Sequence, residues 1–273
     1  MAALCCLSWA QWHLGYVDQA LSVAAEAMKH AEALSHPHTL VYAICHACGF
    51  MDLFRGRCED TQSYAASVVS LCTENGFSHW INCGRILMGW GEICRGELIQ
   101  GIEVLQSGVV AWQQRGARLW LPIFLTLEAE AYLQAGRANA ALGAIEEALE
   151  ISKQTGESWA TAEVLGVKAS MLQSQGGTKA KDKDIETILL NSLEVARGEQ
   201  ARCWELRTAC DLARLWQSQG RRRGALKLLQ SVYDQFTEGF DTTDLQTAKA
   251  LIGNLKRSQP ATTRARSEEP KTD

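Results

Sequence analysis

The chain has 273 residues, 47% hydrophobic and 21% charged, with a formal net charge of −4. That balance suits a folded chain and supplies no broad basic field, which disfavours general nucleic-acid binding. No apolar run reaches the roughly 18 residues needed to span a bilayer, and the N-terminus lacks the features of a secretory signal.

Met1 to Leu14 is already helical and apolar, with Leu4, Leu7, Trp9 and Trp12 and no N-cap residue, as if the chain began inside a repeat. Gly15-Tyr16 turns it, and Asp18 to Leu34 runs back with Ala20, Ala24 and Ala27 on one face. Pro37, suited to a first helical turn, opens the next unit. Its helices are expected at Leu40 to Phe54 and Asp60 to Cys72, closed by Asn75-Gly76, which tolerates a left-handed C-cap. Ser78 is the expected N-cap of the third pair, about His79 to Cys94 and Gln100 to Gln114, closed by Gly116. The fourth pair covers Leu119 to Gln134 and Ala138 to Gln154, closed by Gly156. In the fifth, Ser158 to Ser174 is followed by Gly176-Gly177-Thr178 and the charged run Lys179 to Asp184, read as an exposed loop, and then by a helix over Ile185 to Glu199. The sixth pair covers Cys203 to Gln219 and Arg222 to Phe236. A last helix runs from about Thr243 to Lys256 with Thr242 as its N-cap. Residues 1–257 thus form one helical repeat domain. Ser258 to Asp273, polar and proline-punctuated, is expected to be a disordered tail.

One turn recurs through this series: Gly15-x-x-x-x-Ala20, Gly56-x-x-x-x-Thr61, Gly96-x-x-x-x-Gly101, Gly136-x-x-x-x-Ala141 and Gly220-x-x-x-x-Ala225. The first four glycines step by 41, 40 and 40 residues. A fixed period of this size marks a solenoid. The expected fold is all-α, a right-handed superhelix of about six helix pairs plus a capping helix. A tryptophan follows each later closing turn (Trp80, Trp120, Trp159 and Trp204). These read as staples between neighbouring units, since a buried indole covers a large area.

The helix–glycine turn–helix unit with its following alanine resembles the tetratricopeptide repeat (TPR), with a longer period than that repeat's about 34 residues. Two stretches, Val110-Ala111-Trp112-Gln113-Gln114-Arg115-Gly116-Ala117-Arg118-Leu119-Trp120 and Val232 to Leu245, resemble the C-terminal repeat region of large bacterial signalling proteins. Those carry an adenylate/guanylate cyclase domain and an AAA-like or STAND-type ATPase ahead of the array. The resemblance implies a regulatory, partner-sensing array, with the cyclase or ATPase domains of a parent or neighbouring protein among its partners. It carries no catalytic residue onto this chain, which holds neither domain.

Candidate chemistry is sparse. Cys45-His46-Ala47-Cys48 has a Cys-x-x-Cys spacing but no second ligand pair, and structural zinc takes four ligands. His36-Pro37-His38 reads as a polar loop. Neither a phosphate loop nor a G-x-S-x-G elbow occurs. No enzyme, metal or cofactor is expected. The 10 cysteines mostly stand beside Ala, Ile and Leu, as small apolar residues of a reduced, cytoplasmic protein.

The first helices of the pairs should line a concave groove. Aligning turn glycines places Trp9, Phe50 and Trp90 in equivalent positions, with Trp12 and His46 nearby and Glu130, Ala169 and Arg214 equivalent further on. Arg207 and Arg214, one heptad apart, share a helix face. The expected function is a scaffold docking a protein or peptide partner on Trp9, Trp12, His46, Phe50, Trp90, Glu130, Arg207 and Arg214, with the arginines on acidic groups of that partner. The competing reading of the arginines pairs them with Glu205 and Asp211 of their own helix, and that of the aromatics is an internal core ladder. A small-ligand sensor, or a detached fragment of a cyclase–ATPase protein, is the alternative function.

Overall fold

The computed structural model describes residues 1–58, 60–174 and 179–257. The expected disordered tail, residues 258–273, and the predicted glycine-rich turn at 176–178 lie outside them. The described residues are helical with no strand, in six antiparallel pairs and a final helix. Helices α1 (Ala2–His13) and α2 (Val17–Leu34) form the first pair. In the second, α3 (Pro37–Ala43) passes through a π-helical turn (Ile44–Gly49) into α4 (Phe50–Arg55), and α5 (Thr61–Asn75) returns. The next pairs are α6 (Trp80–Cys94) with α7 (Leu98–Gln114), α8 (Leu121–Gln134) with α9 (Ala138–Thr155), and α10 (Thr161–Ser174) with α11 (Lys179–Gly198). Helices α12 (Arg202–Ser218) and α13 (Arg222–Tyr233) make the sixth, followed by α14 (Thr243–Arg257).

The turns work as their glycines suggest. Gly15, Gly56, Gly96, Gly136 and Gly220 have φ between +62° and +92°, a region closed to most side chains. Closing glycines 76, 116 and 156 do the same between pairs, and Ser35 (φ +49°) and Gln200 (φ +56°) take that place after α2 and α11. The small residue after each internal turn is buried where two helices cross, as at Ala20, Ala141 and Ala225. In the third pair that residue is Gly101, and the approach is closer still: a Cβ there would lie 2.7 Å from the Gly89 carbonyl oxygen of α6.

Two local expectations need correction. The charged run Lys179 to Asp184 is not a loop; it opens α11. Lysine and aspartate need no apolar neighbour to propagate a helix, and alternating charges support it. Helix α6 starts at Trp80 with His79 as its N-cap, one residue past the expected Ser78.

The array also returns on itself. Cys203 Sγ of α12 donates to the Trp12 carbonyl of α1 at 2.9 Å, and the Trp12 and Trp204 rings meet edge to face at 4.8 Å. Beyond them, Gln19 donates twice to the Glu238 carboxylate (3.1 and 2.9 Å), and the Gly239 amide donates to Asp18 Oδ2 at 3.0 Å. The first pair therefore packs on the last, and the inner faces of the first helices converge on a shared centre.

Candidate functional site

The centre is aromatic. Phe50 stacks on Trp120 at 4.1 Å, and Trp120 meets Trp9 at 4.7 Å and Trp159 at 4.9 Å. Trp12 stacks on Phe54 at 4.9 Å, and Phe54 meets Trp159 and Trp204. His46, from the π-helical turn, sits among Trp9, Tyr42, Phe50 and Trp80, and its indole neighbour Trp9 donates to the His46 carbonyl at 2.9 Å. Burial holds the His46 imidazole neutral, with its pKa pushed down to about 3. Trp120 adopts φ +69°, and its amide donates to Glu157 Oε1 at 3.0 Å; the same carboxylate oxygen takes the Trp159 indole N–H at 2.8 Å. This strained turn aims Trp120 inward. It joins the first, second and fifth pairs across the centre, a longer reach than the neighbour-to-neighbour staple its position suggested.

Beside the aromatic centre lies a polar cleft. One part, about 200 Å³, is walled by Glu130 of α8, Glu163, Gly166, Val167 and Ser170 of α10, the Leu206–Arg214 face of α12, and Asp244 and Thr247 of α14. An adjoining part, about 340 Å³, shares Glu130, Glu163, Arg207 and Asp244 with it and extends to Trp90 of α6 and Arg55 of α4.

Arg207 is fixed from all sides. Its Nη1 donates to Glu163 Oε1 and its Nε to Asp244 Oδ2, both at 2.9 Å, and a third donor reaches the Phe54 carbonyl. Its guanidinium carbon stands 4.8 Å over Trp204 and 5.8 Å over Trp12. Arg214 pairs with Asp211 at 2.7 Å, as the same-helix reading held, whereas Glu205 takes Arg197 instead. Arg55 faces Asp52 at 3.8 Å. Glu130 is half-buried and, among the described residues, has neither a hydrogen bond nor an ion pair. Burial, with the nearby Glu163 charge, pushes its pKa up to about 7 against the pull of Arg207. Burial also raises Glu163 and Asp211 despite their arginines.

The fold is that of a TPR-like repeat array. Among solved structures the chain is similar to a variant of a Podosopora anserina protein described as a kinesin light chain with nearly identical TPR-like repeats. The TM-score is 0.51 at 17% sequence identity, over 82% of this chain and 99% of that one. No protein-family model matches, and the curated proteins give no match.

The sequence-derived site residues fall into two groups. Trp9, Trp12, His46 and Phe50 belong to the aromatic centre; Trp12, His46 and Phe50 are buried (2%, 4% and 1% exposed), as the core-ladder reading has them, and Trp9 is half-buried beside them. Trp90, Glu130, Arg207 and Arg214 come together along the cleft. The two arginines expected to meet acidic groups of a partner are each paired within the chain, and carboxylates outnumber cations on the cleft walls. Glu163 and Asp244 were missed; Asp211 entered only as the same-helix partner of the arginines. Their signal lay in charged residues on helix faces that the groove alignment should bury; Glu163 stands on the same helix as the aligned Ala169 position, nearer its start. Cys45 and Cys48, the Cys-x-x-Cys pair, sit in the π-helical turn, and burial pushes both thiols up, Cys48 to about 12. No cluster of three or more metal-ligating side chains occurs among the described residues, and no helix there is long and apolar enough to cross a membrane.

Proposed function

We propose that the chain is a protein-interaction scaffold that docks a peptide segment of its partner in the polar cleft of the fourth to sixth pairs. TPR-like arrays offer the inner faces of their first helices as binding surfaces, and here α8, α10 and α12 supply that face while α14 closes one side. The observation that carries the reading is the cleft itself: the aromatic centre is filled by the chain's own rings, and beside it the inner face is open where Glu130, Gly166, Ser170 and Thr247 line the void. An extended segment with alternating side chains fits such a cleft better than a folded element. In the finer form of this proposal, the module is a non-catalytic, cytoplasmic regulatory arm in a signalling context, with cyclase or ATPase domains as partners. That form is supported by the two sequence stretches alone.

The test is selection of displayed random peptides on the purified chain, repeated with Gly166→Phe. A side chain at Gly166 meets nothing within 4 Å at its Cβ, so Phe fills the cleft without disturbing the helix. Enriched peptides should lose affinity by about tenfold or more. Peptides that bind Gly166→Phe as well as the parent would refute docking at this site.

A further inference from the structure

Trp90 packs one side against the core but, among the described residues, is the tryptophan whose ring meets no other ring, cation or hydrogen-bond acceptor. The chain has nine, all among the described residues. Trp9, Trp12, Trp80, Trp112, Trp120, Trp159 and Trp204 meet other rings, and Trp216 holds Arg221 over its face and donates to Glu186. Trp90 has no ring partner, no cation and no indole hydrogen bond among the described residues. It is half-buried and lines the 340 Å³ part of the cleft.

Glu130 lines the same cavity and is the carboxylate left over there. Arg207 is divided between Glu163 and Asp244, and Arg55 faces Asp52 at 3.8 Å and makes no ion pair with Glu130. An aromatic face and a carboxylate without a direct ion pair on one cavity are two independent requests for the same ligand. The ring quadrupole attracts a cation over its face, and desolvation strengthens that attraction. The carboxylate, costly to bury alone, is stabilised by a charge-assisted hydrogen bond.

We infer that this cavity receives a single arginine side chain of the docked partner, its guanidinium against Trp90 and paired with Glu130. The inference rests on the docking reading above and names its chemistry. Arginine fits better than lysine because its planar fork stacks on an indole and meets a carboxylate with two parallel donors, and because it sheds water more readily than an ammonium group. The volume, at the small end of ligand pockets, holds one long side chain.

The experiment follows the Trp indole N–H signals of the full chain by NMR, with the Trp90 signal assigned by its loss in Trp90→Phe. The probe is the blocked peptide acetyl-Ala-Ala-Arg-Ala-Ala-amide, beside peptides with Lys, citrulline or Glu at the centre. The arginine peptide should move the Trp90 signal saturably, the citrulline and glutamate peptides should not, and lysine should bind more weakly. Glu130→Gln should weaken the arginine peptide by about tenfold or more. An unmoved Trp90 signal, equal binding of citrulline, or unchanged affinity in Glu130→Gln would overturn the inference. Peptides blocked by Gly166→Phe yet free of basic residues would overturn it while leaving the docking site standing; peptides indifferent to Gly166→Phe would remove the docking site first.

Discussion

Replacing Arg207 with methionine tests the electrostatic centre of the molecule. Methionine keeps much of the apolar stem against Trp12 and Trp204 and removes only the charged fork. Glu163 and Asp244 then lose their cation, and the Phe54 carbonyl loses its donor. Breaking a fully buried pair costs about 3–5 kcal/mol. The side chains here are 21% (Arg207), 19% (Glu163) and 30% (Asp244) exposed, so solvent takes up part of the loss. The expected cost is about 2–4 kcal/mol near pH 7.5. The pH dependence has a definite sign. Burial already raises the Glu163 pKa, and Arg207 is the largest influence lowering it. Without Arg207 the folded-state pKa climbs further above its unfolded value, so stability is retained at low pH and lost as pH rises through the new pKa. The deficit against the parent should therefore shrink at pH 5, and Arg207→Met with Glu163→Gln should recover part of it at pH 7.5. Urea unfolding followed by tryptophan fluorescence reads both. A loss below about 1 kcal/mol, identical at the two pH values, would refute the assignment of Arg207 as a buried keystone.

Trp120→Ala should cost about 3–5 kcal/mol, since the indole is 6% exposed and touches rings from three other pairs; a urea-unfolding loss below about 1 kcal/mol would contradict its placement at the centre. Glu130 has a folded-state pKa of about 7 against an ordinary value of 4.5, so the protein should lose stability as pH rises from about 5 to 8. Glu130→Gln should remove about 1–3 kcal/mol of that slope, and an unchanged pH profile in urea would show that the carboxylate is solvated. Gln200→Gly, at φ +56°, should raise stability by about 1 kcal/mol by relieving left-handed strain; a lower urea midpoint would count against that geometry.

The helix pairs were legible because their determinants are local. Gly15, Gly56, Gly96, Gly136 and Gly220 announce left-handed turns, and the small residues that follow announce close crossings. The return of the first pair onto the last was not. Cys203 bonds to Trp12 across 191 residues and Gly239 to Asp18 across 221, and nothing within one repeat period states how much each unit rotates against the next. The aromatic residues show the same divide. That Trp120 is buried was readable from its place after a closing turn, and Phe50 stood between the groove and the core ladder. That they stack on each other depends on the accumulated curvature between their units. The cleft was half legible: Arg207 and Arg214 were placed on one face, but the carboxylates that neutralise Arg207 come from α10 and α14, whose distance from it only the assembled array sets.

An open solenoid has two free ends, and its terminal units fray because each is held by a single neighbour. Here the Asp18–Gly239 and Gln19–Glu238 bonds, with Trp12 against Trp204, give both terminal pairs a second neighbour. Amide exchange in α1 and α12 should then approach that of α8 in the middle of the array, in place of the steady decline toward the ends that a linear stack shows. Trimming one end would release the other as well. The chain would behave as a single cooperative unit in which the most distant parts of the sequence report on each other's integrity.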